Sequence, residues 1–442
     1  MKTAVLVDGT RTPLLKAGTV PGLTAVELGS AVVRGLQKRP AMFGFPVQDL
    51  IEEVVGANIG NQVLAPDGSN VTRLIMLNAG FPLGITARTI NINCASGLHA
   101  ALDAAKDIEL GLVKGALVVG VEVMSDYIAV YRREQREAFA ALAMASRSKD
   151  PAIKKMANQL KLLAKVKTMP HDPIWMVSAG LTDPSCDMRM DKISDHIAKV
   201  WGISRQEQDL FAMESQRRAT RAQASGRLAK EITPFSRDAR FGVFAKDNGI
   251  RPDTTLEKLS RLKPIYPYGT VTPGNASQIT DGAVALLLME EEYAKSLGLK
   301  ARAVISSRNS GAYGCEPTMM GLGPVGAVKQ VLDRTGLTLK DFSVIEAHEA
   351  FATVVLAQSR AFASKEYCAK LGLGEPMGDL AFEVTNVNGG AVALGHPLAA
   401  SGARLLLTCV HELEERNEEN GLVALCAAGG LGEALAIQRR KQ

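Results

Sequence analysis

Four side chains capable of nucleophilic or acid–base chemistry fall where apolar runs give way to glycine-rich or helical sequence. Cys94 stands in Asn91-Ile92-Asn93-Cys94-Ala95-Ser96-Gly97, where a strand pattern ends and a helix pattern begins. A thiol there meets orphan backbone N–H groups and the positive end of the helix dipole, which favours the thiolate and makes a usable nucleophile. A cysteine in that place also serves as a small buried hydrophobe, so it needs partners before it implies chemistry. His348 lies in Glu346-Ala347-His348-Glu349-Ala350-Phe351, at a second strand-to-helix junction. His396 lies in the loop Asn388-Gly389-Gly390-Ala391-Val392-Ala393-Leu394-Gly395-His396-Pro397. A second thiol, Cys426, opens Cys426-Ala427-Ala428-Gly429-Gly430-Leu431-Gly432 at the end of another strand. A lone histidine is more often structural than catalytic. Two thiols and two imidazoles at four junctions form a set in which a nucleophile has bases at hand.

The elements that must position them alternate. Apolar runs predict strands at 5–7, 53–57, 89–93 and 116–121, with helices at 24–36 and 95–112. The C-terminal part repeats the rhythm, with strands at 303–306, 344–346 and 422–425, a helix near 325–335 and another from Ala350. This βαβ order predicts an α/β fold with a mixed or parallel sheet covered on both faces. Ile92-Asn93 before Cys94 is echoed by Asn386-Val387-Asn388 before Gly389, and each is followed by a helix and an apolar strand, which implies an internal duplication. The expected division is an N-terminal half over 1–124 completed by 270–298, a C-terminal half over 299–442, and an inserted, mainly helical region over 125–269. Within the insertion, 193–201 reads as a helix, and Ser204 caps another over 205–225 that Gly226 stops. Residues 151–167 carry Ile153, Met156, Leu160 and Leu163 at helical spacing, with Lys154, Lys155, Lys161 and Lys165 elsewhere on the wheel. Such a basic amphipathic helix fits packing on its own domain with a solvated charged face, and it equally fits docking to a membrane surface or a partner.

The 442 residues suffice for two or three domains, and 46% hydrophobic with 22% charged residues is a globular composition. Six cysteines without paired short spacings point to reduced thiols in a cytoplasmic protein, and no metal-binding motif is present. Asp8 and Arg11 cut short the apolar run that follows Lys2, so no signal peptide is expected, and no run of about 18 apolar residues exists to span a membrane. The net charge is +5, while 132–167 alone carries ten Lys/Arg against three Asp/Glu. Basic surface is therefore confined to one segment without a recognition motif, and nucleic acid is not an expected partner.

Read in order, these segments resemble the thiolases, the acyl-CoA acetyltransferases of the thiolase superfamily. The resemblance begins at Val7-Asp8-Gly9-Thr10-Arg11-Thr12-Pro13 and passes through the Cys94 segment and Gly202-Ile203-Ser204-Arg205-Gln206-Glu207-Gln208-Asp209. It takes in Gly269-Thr270-Val271-Thr272-Pro273-Gly274-Asn275-Ala276-Ser277 and Asp281-Gly282-Ala283, and it closes with the two histidine motifs and the Cys426 loop. His348-Glu349-Ala350-Phe351, where many thiolases carry Asn-Glu-Ala-Phe, together with the basic helical insertion, is most similar to the thiolase subunit of fatty-acid β-oxidation trifunctional complexes.

The resemblance implies a thiolase fold, two duplicated βαβ halves in a five-layer α/β/α/β/α core. It implies CoA-dependent cleavage of 3-ketoacyl-CoA to acetyl-CoA and a shortened acyl-CoA, with CoA as co-substrate and no permanently bound cofactor. Cys94 matches the acylated nucleophile, His396 the base that takes its proton, and Cys426 the second acid/base. His348 matches one oxyanion site, and the backbone N–H groups of Cys94 and Ala428 match the other. Met190, Arg251, Ser277 and Met320 match CoA contacts, although Asp191 replaces a usual glycine, as does Ala428. A homodimer or dimer of dimers is implied, with a hydratase/dehydrogenase partner possible at 132–167. A decarboxylating 3-ketoacyl synthase would also use Cys94, His348 and His396, but it needs no second proton-transfer thiol, so Cys426 favours thiolase. A biosynthetic thiolase condensing two acetyl-CoA is the alternative in direction. A non-catalytic acyl-CoA-binding or scaffold subunit is the alternative in class, natural only if one of the four positions were lost.

Overall fold

Strands buried at nearly every position set the layers. The computed structural model describes residues 2–60, 70–169 and 173–441. They form two compact units, one from residues up to 126 together with those from 183 onward, the other from 127–182. The inserted region expected over 125–269 thus divides between the two. In the larger unit the N-terminal strands are Ala4–Arg11 (β1), Glu53–Ala57 (β2), Thr86–Ile90 (β3), Gly115–Val123 (β4) and Thr280–Glu290 (β5). The C-terminal strands are Ala303–Val304 (β6), Ser310–Gly314 (β7), Val344–Ala347 (β8), Asn420–Ala427 (β9) and Leu431–Arg439 (β10). The main helices there are Ala25–Gln37 (α1), Val71–Ala79 (α2) and Ser96–Glu109 (α3), then Met190–Val200 (α6), Arg205–Ala224 (α7), Gly323–Thr335 (α8), Ala352–Ala363 (α9) and Ser401–Arg416 (α10).

Leu6, Val55, Val118 and Leu286 point inward to α3 and α10, and Val344, Val423 and Leu435 meet the same two helices from the other side. The neighbouring residues Val5, Val54, Leu117 and Leu287 pack on α1 and α2, while Ile345, Leu422 and Ala436 pack on α8 and α9. Strands buried on both faces therefore separate three helical layers, giving five layers in all. The hydrogen-bonded order is β8-β9-β10-β6-β1-β5-β4-β2-β3, with β7 on β10. Within this order the two halves join where Val5 and Leu6 face Val304 and Ala303, so the strand expected at 303–306 shrinks to its first two residues.

The duplication is visible in the pairing. β2 runs parallel to β3 and β4, and β4 antiparallel to β5. In the same way β8 runs parallel to β9 and to a single bridge at Thr385, and β9 antiparallel to β10. Thr24 caps α1 and Ser204 caps α7, each through a capping box with the glutamate three residues on.

In the smaller unit, Ala129–Val130 pairs with Ile174–Trp175, and two helices, Arg133–Arg147 (α4) and Ala152–Thr168 (α5), lie between them in the chain. The stripe of Ile153, Met156, Leu160 and Leu163 is solvent-exposed, and α5 buries none of its residues. Packing of the stripe against its own domain is therefore not what the helix does. Among the described residues no helix is long and apolar enough to cross a membrane.

Candidate active site

The turn that presents Cys94 begins earlier than the apolar pattern suggests. β3 ends at Ile90, not at Asn93. Asn93 takes a left-handed conformation, φ 56°, which asparagine tolerates better than most residues. Ser96 closes the turn: its Oγ accepts from the Ile92 N–H at 2.8 Å and donates to the Asn93 carbonyl at 2.6 Å. α3 then starts without a side-chain cap, leaving its first amides near Cys94. Cys94 is half-buried as a residue, and the backbone amides of Cys94 and Ala428 lie close enough to its sulfur to favour the thiolate. Asn93 Nδ2 donates to the Ala428 carbonyl at 2.9 Å, which fixes the second loop beside the first.

The expectation of a favoured thiolate is reversed. Burial pushes the Cys94 thiol up to about 12, and the two amides offset only part of this. The two N–H groups converge on the place expected of an oxyanion site, and Cys94 rests as a neutral thiol.

Cys426 is the penultimate residue of β9, fully buried and close enough to Cys94 for the two sulfurs to interact electrostatically. Burial first, and then Cys94, raise its thiol well above the usual range. The loop after it is held by the Gly429 N–H, which donates to Asp183 at 2.8 Å. Gly430 is left-handed, and a Cβ there would lie 2.1 Å from the Cys315 carbonyl, so the loop requires glycine.

His348 is the first residue after β8, and its N–H continues the ladder to the Ala424 carbonyl at 2.9 Å. That bond anchors the His348 backbone at the end of β9, where Cys426 lies two residues on. His396 N–H meets the Gln278 carbonyl and Thr280 Oγ1, both at 3.2 Å. Its approach depends on Gly395, φ 104°, where a Cβ would lie 2.2 Å from Thr280 Oγ1. The two imidazoles face each other with Nε2 atoms 3.2 Å apart, so one of these nitrogens carries the shared hydrogen. His396 Nδ1 lies 2.6 Å from Ser401 Oγ at the start of α10. Burial holds both rings neutral: His396 is pushed down to about 3, and His348 well below its ordinary value, with further lowering by its histidine neighbour and by Arg404.

The Cys94 and His396 segments meet because α3 and α10 touch at their starts. A Cβ on Gly97 would lie 2.4 Å from the Ala399 carbonyl, and one on Gly402 would lie 2.4 Å from Leu98 N. Ser96-Gly97 and Ser401-Gly402 are thus equivalent pairs in the two halves, each at the start of an inner-layer helix. Cys94, His348 and Cys426 lie at strand ends or just ahead of a helix, and His396 lies in the loop that leads to α10.

Sequence reasoning missed the supports. Ser401 orients His396, and Glu349 is a buried tie: its carboxylate accepts from Ser215 Oγ at 2.7 Å, Asn386 Nδ2 at 2.8 Å and the Val392 N–H at 3.2 Å. Asn386, left-handed like Asn93, also exchanges two 2.8 Å bonds with the Ala347 backbone. The echo between 92–93 and 386–388 is the available signal, since both asparagines make the same kind of turn.

The matched CoA contacts are dispersed around this centre. Met190 and Met320 share an apolar cluster with Cys426, against which Ala428 packs. Ser277 N–H donates to the Ala350 carbonyl at 3.0 Å, beside the His348 segment. Arg251 is held by Gln216 Oε1 on its N–H at 2.8 Å and by the Pro273 carbonyl at 3.4 Å. Asp191 does not loosen the turn after Met190: its carboxylate accepts from Arg189 at 3.1 Å, the Lys192 N–H at 2.9 Å and Tyr266 OH at 3.0 Å.

Residues 4–292 match the family model for the thiolase N-terminal domain, and 299–439 that for the thiolase C-terminal domain. The chain is 37% identical over 428 residues to the acetyl-CoA acetyltransferase of Chromobacterium violaceum, covering 96% of this chain and 95% of the relative. It is 34% identical to the 3-ketoacyl-CoA thiolase of Bacillus subtilis, with 98% of each covered. Its structure is similar to the Bacillus anthracis acetyl-CoA acetyltransferase, with TM-score 0.83, 31% identity and coverage of 100% and 99%. It is also similar to human mitochondrial 3-ketoacyl-CoA thiolase, with TM-score 0.81, 29% identity and 99% of each covered. Matched over both halves and along nearly the full length of its relatives, the chain belongs to the thiolase family and is an acyltransferase.

Proposed function

We propose that the protein is a degradative 3-ketoacyl-CoA thiolase of fatty-acid β-oxidation, working in the cytoplasm as a homodimer or dimer of dimers with CoA as co-substrate. The observation that carries the thiolase chemistry, in either direction, is the second buried thiol, Cys426, beside Cys94. In this mechanism His396 Nε2 takes the Cys94 proton as the sulfur attacks the C3 ketone, and the Cys94 and Ala428 amides hold the tetrahedral oxyanion. The C2–C3 bond breaks, His348 and His396 face the enolate oxygen, and the Cys426 S–H protonates C2 to release acetyl-CoA. The Cys426 thiolate then takes the proton of CoA, whose sulfur attacks the acyl group. Cys94 leaves and recovers its proton from His396. Met190, Arg251, Ser277 and Met320 are assigned to CoA.

Thiolysis rates across 3-ketoacyl-CoAs of increasing chain length test the degradative role. Longer substrates are expected to exceed acetoacetyl-CoA in kcat/KM by about tenfold or more, as added methylenes fill an apolar pocket. Selectivity for acetoacetyl-CoA with efficient condensation of acetyl-CoA would instead assign the biosynthetic direction.

The exposed stripe of α5, flanked by lysines of which Lys154 reaches Asp150, fits an anionic bilayer surface better than bulk water. Co-sedimentation with anionic but not zwitterionic vesicles is expected, lost in a Met156→Glu/Leu160→Glu variant whose thiolysis is unchanged. No sedimentation with anionic vesicles overturns this assignment, as does retention of the segment by a hydratase/dehydrogenase subunit alone.

A further inference from the structure

Behind the two imidazoles lies a buried carboxyl–guanidinium pair that the reaction as written does not use. Val344 faces the inner helices, and alternation along β8 puts Glu346 and His348 on that same face. Arg404 projects from α10, one turn beyond the Ser401 that holds His396. Glu346 and Arg404 are fully buried, with Nη1 and Oε2 3.6 Å apart. Neither carboxylate oxygen and none of the three guanidinium nitrogens makes a hydrogen bond among the described residues, and neither does His348 Nδ1. Six polar atoms on three neighbouring buried side chains thus hold unused bonding capacity, where buried polar groups are normally paired. Such a buried pair is weak evidence of stabilisation, because desolvation offsets the attraction. Its value here is therefore sought in the group it accompanies.

His348 can donate from Nε2 to an oxyanion only if Nδ1 is the unprotonated nitrogen, and that tautomer is favoured by a donor at Nδ1. Arg404 has donors only, whereas burial, opposed in part by Arg404, pushes the Glu346 carboxyl up to about 8, so that near neutrality it is largely the protonated acid, whose carbonyl oxygen still accepts. We propose that Arg404, braced by Glu346, is a positioning residue that donates to His348 Nδ1 through one buried water, and so holds His348 as the Nε2–H tautomer facing His396 and the oxyanion. The field of Arg404 reaches both rings and opposes their protonation, in keeping with this placement. The inference rests on the thiolase reading for its kinetic consequence, but not for the tautomer itself.

The test uses the full-length enzyme with ¹⁵N-labelled histidine, in which the His348 signals among the six histidines are identified by their loss in His348→Asn. The resting wild type is expected to show Nε2–H at His348, and Arg404→Met is expected to shift it toward Nδ1–H. Arg404→Met should also lower kcat by about tenfold or more with KM within about twofold, well short of the ~10⁴-fold seen when a catalytic histidine is held in the wrong tautomer. In the His348→Asn background, where no tautomer exists, the same change should leave kcat nearly unaltered. Arg404→Lys keeps a donor and should retain Nε2–H, which keeps the test decisive if the methionine variant folds poorly. A wild-type His348 protonated at Nδ1, or an undiminished kcat loss in the asparagine background, overturns the proposal. Because the tautomer is read without substrate, such a result is distinct from a failure of the thiolase mechanism.

Discussion

Replacing Cys94 with alanine is expected to lower thiolysis by about 10⁵-fold or more while leaving the fold intact, since the nucleophile of a covalent mechanism cannot be supplied from elsewhere in the site. The side chain is half-buried, and the turn around it is held by Asn93 and Ser96, not by the thiol. Thermal unfolding should therefore stay close to wild type while acyl transfer disappears. Wild-type thiolysis in this variant would refute the mechanism. The resting thiol adds a second readout. With Cys94 pushed up to about 12 and His396 down to about 3, the pair rests as thiol and imidazole and not as thiolate and imidazolium. Alkylation of Cys94 by iodoacetamide should then rise about tenfold per pH unit through the neutral range, because the thiolate fraction grows by that factor below the thiol pKa. A rate flat across that range would mean a preformed ion pair.

The parts of this site legible in the sequence are those set by local pattern. Apolar runs ending in glycine or helix place Cys94, His348, His396 and Cys426 at junctions, and the structure puts all four there. The strand before Cys94 reads three residues too long because Ile92 continues the alternation of Ile90. Ser96 wins that residue, since its hydroxyl takes the Ile92 N–H that a strand partner would have taken. The protonation of Cys94 reads the wrong way because the helix start is local, while the burial that outweighs it, together with the charge of Glu122, comes from residues distant in sequence. Glu346 and Arg404 cannot be paired from the sequence, because a glutamate before a histidine motif and an arginine within a helix gain meaning only when the fold buries them together. The amphipathic pattern of 151–167 is compatible with packing and with exposure, and only the fold decides between them.

The duplication explains why the site needs both halves and gives the second large prediction its form. Cys94 lies ahead of α3, while His348, His396 and Cys426 come from the C-terminal half, so the nucleophile is separated in sequence from all of its proton carriers and joined to them by the contact of α3 with α10. Removing one proton carrier should then slow particular steps without removing the nucleophile. Cys426→Ala is expected to lower steady-state thiolysis by about 10²–10⁴-fold, the usual worth of general acid–base catalysis. Acylation should survive. Incubated with a 3-ketoacyl-CoA and no free CoA, the variant should still gain the mass of the shortened acyl group on Cys94, because His396 and the Cys94 and Ala428 amides are untouched. The wild-type Cys426 thiol, raised by burial and by the neighbouring sulfur, is protonated at rest and so ready to protonate C2. Once it has given up that proton, the same burial makes its thiolate a strong base toward CoA. The alanine variant lacks both actions, so addition of CoA should discharge its acyl-enzyme slowly, and the intermediate should be visible by mass spectrometry during turnover. A variant that never acylates would transfer the role of first base from His396 to Cys426, and one that turns over at the wild-type rate would take Cys426 out of the mechanism.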